Sequence, residues 1–220
     1  MAYNKKYAEY YDKFNIGKDY AKEVDFITNV LNKFDISGKK VLDLGCGTGL
    51  HEKEFSSKGY KLTGLDLSQE MIDIARKRNP ECNFIVGDMS NFDLNQKFDV
   101  VITMFSAMGY LTENAQIEGF FKSVKKHLKE NGLLILDVWN GLGVMNELPT
   151  SREKSADIGN LKITRKSFPD LDSKNHVNSV RFNVKIFDRW GEMVWESNDP
   201  TQPWDGKYNN KLVQSGSYSW

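Results

Sequence analysis

The stretch Val41-Leu42-Asp43-Leu44-Gly45-Cys46-Gly47-Thr48-Gly49-Leu50-His51 constrains this chain more than any other. An apolar run interrupted by one acid reads as a short buried strand, and three glycines then turn the chain into a helix. Such a turn aims backbone N–H groups and a helix N-terminus at whatever binds beyond the strand. Gly45 and Gly47 let the backbone come close to a ligand where a Cβ would clash. The dinucleotide pattern G-x-G-x-x-G needs glycine at position 50, where this chain has Leu50. A phosphate loop is excluded as well, because no Gly-Lys-Ser/Thr follows the glycines.

Strand and helix signals alternate around that turn. Apolar residues at three- and four-residue steps (Tyr20, Val24, Ile27, Val30/Leu31, Phe34) predict an amphipathic helix over 18–34. Strands are predicted at 41–44, 61–65, 82–86, 98–104 and 133–138, with helices over 48–58, 69–78 and 113–129. Ser68 caps the helix over 69–78 and Pro80 stops it. Short apolar strands buried on both faces indicate a doubly wound α/β, mostly parallel sheet. From about residue 160 the rhythm becomes alternating, with strands at 161–168 and 177–187 and turns at Pro169-Asp170 and Ser173-Lys174-Asn175. Short strands divided by glycine and proline turns follow to residue 220, an added antiparallel β segment at the C-terminus.

Ligands of an open parallel sheet sit beyond the carboxyl ends of its strands. Asp66 closes the second strand about 17 residues after the last glycine, where a carboxylate accepts both hydroxyls of a ribose; its other reading is a cap before Ser68. Asp88, beside Met89 after the third strand, is open between an adenine-amine acceptor and a turn residue. Five tyrosines in the first 20 residues (Tyr3, Tyr7, Tyr10, Tyr11, Tyr20) read either as a packed surface arm or as a lid of phenol hydroxyls.

Lys plus Arg and Asp plus Glu are both 30, so no basic excess points to nucleic acid or an anionic membrane. No apolar run approaches the roughly 20 residues of a spanning helix, and no apolar segment follows the N-terminal lysines. Cys46 and Cys82 lack metal spacing, and the chain reads as reduced and cytoplasmic. His51, His127 and His176 are dispersed and read as structural or solvated, with no nucleophile arrangement around them.

Together, Val41–His51, Gly64-Leu65-Asp66-Leu67-Ser68, Gly87-Asp88-Met89 and Phe98–Leu111 resemble the class I S-adenosylmethionine-dependent methyltransferases. Within them, Gly17-Lys18-Asp19-Tyr20, Ala75–Pro80, Gly87–Phe92 and Met104–Tyr110 are most similar to the deoxyaminosugar N,N-dimethyltransferases. The resemblance implies S-adenosyl-L-methionine as cofactor, with Asp43, Gly45 and Gly47 at its methionine part, Asp66 at the ribose and Asp88-Met89 at the adenine. Tyr20, Cys46, Leu67, Met71 and Met104 complete the implied cofactor set. It further implies that Tyr3, Tyr11 and Tyr110 orient a small-molecule acceptor, an amine or hydroxyl that takes the methyl group by in-line displacement. Tyr110 stands where the sugar enzymes can carry histidine, which weakens the case for an amino sugar. Residues 160–187 resemble that family's antiparallel cover sheet and a possible homodimer surface.

Residues 187–197, 204–210 and 215–218 instead resemble the gliding-motility-associated C-terminal domain of type IX secretion, a β-sandwich sorting module. The expected organisation is a methyltransferase core with its tyrosine arm (1–150), a cover sheet (151–187) and a partial sorting module (188–220). The change of resemblance is expected to reflect a chimeric or truncated reading frame, joined near 184–188. The competing readings are surrogate strands supplied by 188–220, a non-catalytic sorting module on a degenerate fold, and an inert fusion product.

Overall fold

The computed structural model describes residues 5–15, 17–172, 177–188, 190–198, 207–208 and 211–212. The chain divides into two compact units, Gly17–Trp139 and Tyr3–Ile16 with Asn140–Trp220.

The first unit begins with α2 (Tyr20–Lys33), following α1 (Lys5–Phe14) of the other unit. Asp19 caps α2 by accepting the Lys22 N–H at 3.0 Å, so the helix starts two residues later than its periodicity suggests. Val24, Ile27 and Leu31 are buried as expected, whereas Phe34 follows the helix and is 57% exposed. Five parallel strands then form one sheet in the order β3-β2-β1-β4-β5: β1 (Lys40–Leu44), β2 (Lys61–Asp66), β3 (Asn83–Val86), β4 (Phe98–Thr103) and β5 (Leu128–Leu136). α3 (Leu50–Ser57) and α4 (Gln69–Arg78) connect the first three strands, and α5 (Asn114–His127) leads into β5. Sequence order reverses between β1 and β4, the switch point of a doubly wound sheet. Val41, Leu42 and Leu44 are fully buried, because β1 lies in the centre with helices against both faces.

A further helix boundary differs from expectation. α5 stops at His127, and Leu128 is already extended opposite Phe98. His127 is 1% exposed; Nδ1 donates to the Ser123 carbonyl at 2.7 Å, and Nε2 accepts the Leu94 N–H at 2.8 Å. Two opposed bonds hold the ring as the neutral Nδ1–H tautomer. Asn131-Gly132 does not begin β5 but lies in the irregularity between its Leu128 and Leu133 pairings. There an added Cβ on Gly132 would meet the Asp99 carbonyl oxygen at 3.0 Å.

The second unit contains α6 (Gly141–Asn146) and an antiparallel sheet, β6-β7-β8-β9: β6 (Arg152–Ile158), β7 (Leu161–Asp172), β8 (Val177–Phe187) and β9 (Met193–Ser197). The N-terminal tyrosine segment is α1, which packs Phe14 on Ile163, Ile186 and Val194. Lys154 donates to the Phe14 carbonyl at 3.0 Å, and the Arg165 guanidinium lies 4.8 Å from the Phe14 ring centre. Pro169-Asp170 is not a turn. β7 runs through both, and Pro169 pairs with Val180 where β6 has already ended opposite Ser167, so its missing N–H is tolerated. The other turn expected between these strands, Ser173-Lys174-Asn175, lies outside the described residues. Between β8 and β9 the chain turns at Asp188–Glu192: Asp188 Oδ1 accepts the N–H groups of Trp190 and Glu192, and Gly191 takes φ 84°. The sheet thus continues past residue 187 into β9, and the short pair β10 (Lys207–Tyr208) and β11 (Lys211–Leu212) follows.

Candidate functional site

The carboxyl edge of the parallel sheet gathers most of the expected site residues within the first unit. After β1, the N–H groups of Gly45 and Cys46 both donate to the Leu65 carbonyl, folding the turn over the end of β2. Gly45, Gly47 and Gly49 all take positive φ (82°, 56° and 78°), a region that disfavours any side chain. Space adds to this at two of them. A Cβ on Gly45 would lie 2.7 Å from the Ala107 Cβ, and one on Gly49 would lie 2.7 Å from Asn79 Nδ2.

Asp66 anchors the turn before α4, as the second reading of its sequence position expects. Oδ1 accepts the Ser68 N–H and Oδ2 the Gly47 N–H, each at 2.9 Å. Burial raises its pKa, while those backbone donors pull the other way. A carboxylate has about four lone-pair sites, so roughly two remain for hydroxyl donors. Leu67 beside it is 52% exposed at the edge of the cleft.

Asp43, 1% exposed at the centre of β1, has Oδ2 without a hydrogen-bond partner among the described residues. Burial pushes it up to about 6; the Asp66 charge adds to this and His51 opposes it. Glu52, in the first turn of α3, is fully buried with neither oxygen bonded among the described residues, and burial holds it well above the usual carboxylate range. Cys46 is buried near it and its thiol is pushed up by the same desolvation.

Tyr20 opens α2 with its ring edge-on to His51, centroids 5.0 Å apart. His51 Nε2 donates to Glu23 at 2.8 Å and Lys18 pairs with the same oxygen at 3.0 Å. Burial raises the Glu23 pKa, but these two partners outweigh it and leave the carboxyl lowered. His51 is therefore a buried, bonded residue rather than a solvated one.

At the other strand ends, Asp88 is exposed and accepts the Ser90 N–H at 2.8 Å, a turn that leaves its second oxygen available. Met89 and Met104 are half-buried against the two main apolar clusters, and Met71 is only 2% exposed in α4. Tyr110 ends a short 3-10 turn and is 64% exposed. Tyr11 lies on α1 in the second unit, and Tyr3 lies outside the described residues.

Sequence reasoning did not assign roles to Arg78 and Asn79. Asn79 Nδ2 donates to the Gly49 carbonyl at 2.7 Å and Arg78 to that of Thr48, tying the glycine turn to the end of α4. Asn79 before Pro80 reads locally only as a helix stop, and a contact spanning 30 residues leaves no local signal. The second unit carries its own concavity of about 670 Å³, lined by Lys162, Thr164, Lys166, Lys185 and Phe187. No helix among the described residues is long and apolar enough to cross a membrane.

Comparison with known proteins agrees with this geometry. Residues 41–132 match the methyltransferase domain family, and residues 169–220 match the CHU_C type IX secretion signal domain. The second match begins inside β7. A dTDP-3-amino-3,4,6-trideoxy-alpha-D-glucopyranose N,N-dimethyltransferase of Streptomyces venezuelae is 35% identical over 139 residues, covering 62% of this chain and 59% of that protein. The crystal structure of Streptomyces venezuelae DesVI superposes with a TM-score of 0.75 at 27% identity, covering 88% of this chain and 81% of that one. An S-adenosylmethionine-dependent methyltransferase from Clostridium acetobutylicum gives a TM-score of 0.68 at 26% identity, covering 88% and 78%. The parallel sheet with its flanking helices is thus the Rossmann-like architecture of such enzymes, with an antiparallel sheet added. This chain spans between 54% and 59% of the length of three curated sugar N,N-dimethyltransferases that it matches.

Proposed function

From the match of residues 41–132 to the methyltransferase domain family we propose that the chain is an S-adenosylmethionine-dependent methyltransferase acting on the amine or hydroxyl of a small molecule, amino sugars among them. The observation that carries the reading is Asp66, whose carboxylate is oriented by the Gly47 and Ser68 N–H groups and retains capacity for ribose hydroxyls. The orphaned Asp43 oxygen beneath the glycine turn suits an ammonium group, and the side-chain-free turn suits a close-lying amino-acid moiety.

When bound, S-adenosylmethionine supplies a methyl group already activated by its sulfonium. The chain's own task is then positioning in a water-poor site. Asp43, Gly45, Cys46 and Gly47 would hold the methionine part, Asp66 and Leu67 the ribose side, and Asp88 and Met89 the adenine. Tyr20, Met71 and Met104 support these from behind. Tyr3, Tyr11 and Tyr110 would orient the acceptor, whose lost proton passes to a weak base or to water. The acceptor assignment draws on the sugar N,N-dimethyltransferase relatives. Part of the proposal is a cytoplasmic homodimer formed through residues 160–187.

Incubating the protein with labelled S-adenosylmethionine and a panel of amino sugars, amines and phenols tests the reading. A mass gain of one or two methyl groups on one acceptor class is expected; no transfer to any class, with the cofactor bound, would count against catalysis. The match at 169–220 favours a second reading, in which that segment is a partial secretion-signal module joined to the enzyme. Export of a reporter fused to residues 169–220 in a type IX-competent host supports it, and retention in the cell refutes it.

A further inference from the structure

The segment after β4 holds two consecutive non-glycine residues in the left-handed region, Phe105 (φ 61°) and Ser106 (φ 55°). Such residues persist only where their surroundings over-determine them. Two contacts do so here. The Ser106 N–H donates at 2.7 Å to Oδ1 of Asp137, the residue that follows β5 by one position. The Lys18 ammonium lies 3.8 Å from the Phe105 ring centre, on a ring that is itself about half exposed at 47%. One residue further on, Ala107 closes against Gly45, with no room for a Cβ between them.

We propose that Asp137 is a positioning residue of the glycine-turn site. By accepting the Ser106 N–H it keeps the Phe105–Ser106 pair left-handed. That seats Ala107 on Gly45 and presents Tyr110 at the carboxyl edge of the sheet. Asp137 acts through Ser106 and not by touching cofactor or acceptor. The binding arm of this inference rests on the proposed function; its structural arm does not.

Glycine adopts the left-handed region without steric cost, so Ser106→Gly should make the Asp137 strut dispensable. The test compares the full chain with Asp137→Ala, Ser106→Gly and the double variant, in thermal unfolding and in binding of S-adenosylhomocysteine. Asp137→Ala alone is expected to lower Tm by a few degrees and to weaken binding about tenfold, the effect of losing one charge-assisted hydrogen bond. In the Ser106→Gly background the same change should cost less than about twofold in binding and leave Tm nearly unmoved. Asp137→Asn retains an acceptor oxygen and should stay near the parent. Equal losses in both backgrounds, or no loss in either, would overturn the proposal. If Asp137→Ala does not fold, folding of the double variant supports the strut and its failure to fold refutes it. If even the parent binds no nucleoside, the Tm cycle still decides for or against Asp137, and only the functional reading falls.

Discussion

Gly47 donates its backbone N–H to Asp66 Oδ2 across 2.9 Å, joining the turn after β1 to the carboxylate that ends β2. The bond fixes where Asp66 points before any ligand arrives, and it exists only because the turn brings Gly47 N toward the neighbouring strand. Asp66→Ala removes both the proposed ribose acceptor and the partner of two backbone donors, so binding of S-adenosylhomocysteine should weaken by roughly 10- to 100-fold, from about 1.5–3 kcal/mol per charge-assisted bond. Asp66→Asn keeps one acceptor oxygen and should lose less. Isothermal titration of the two variants checks the order.

Gly45 and Gly47 should respond differently to alanine. At Gly45 the new Cβ meets Ala107 at 2.7 Å in addition to an unfavourable φ of 82°. At Gly47 the φ is 56° and the space is open. Gly47→Ala should therefore cost about 1–2 kcal/mol of stability, the left-handed penalty alone, while Gly45→Ala should cost more and also displace the 104–110 segment. Urea unfolding of both variants measures the difference.

Glu52 and Asp43 give the fold an acid-side signature. Both carboxyls have folded-state pKa values raised by burial, Asp43 from 3.8 to about 6. The folded state then binds more protons than the unfolded state, so these groups lower stability as pH rises through the window from about 4 to 6 and beyond. Glu52→Gln removes its own share of that penalty without changing shape. Its stability advantage over the parent should be small near pH 4 and grow toward pH 7, as read from urea midpoints across pH.

Much of the first unit was legible because its signals are local. Strand positions followed from apolar runs, the Ser68 cap formed as expected, and the glycine turn with Asp66 marked the carboxyl edge. What escaped depends on distant partners. His127 read as structural or solvated, and only the Leu94 N–H, 33 residues earlier, decides that it is a buried acceptor. Pro169 read as a turn, yet the early end of β6 lets β7 pass through it. Asn79 and Asp137 hold the site's loops from 30 and 31 residues away, and neither has a sequence neighbour that announces it.

His127 supports a prediction independent of the site. Replacement by Phe preserves the ring contact with Phe92 but leaves the Leu94 N–H unpaired in a half-buried position. A cost of about 1–3 kcal/mol is expected, or a Tm roughly 2–12 °C lower for a chain of this size. Cofactor affinity measured well below Tm should not change.

The central claim is that the turn at 45–49 with Asp66 forms a site for S-adenosylmethionine. Calorimetric titration of the full chain with S-adenosylhomocysteine tests it most directly. The account predicts one-to-one binding in the micromolar range, strongly weakened in Asp66→Ala. Absence of binding by a folded protein, or equal binding by the Asp66→Ala variant, would contradict it.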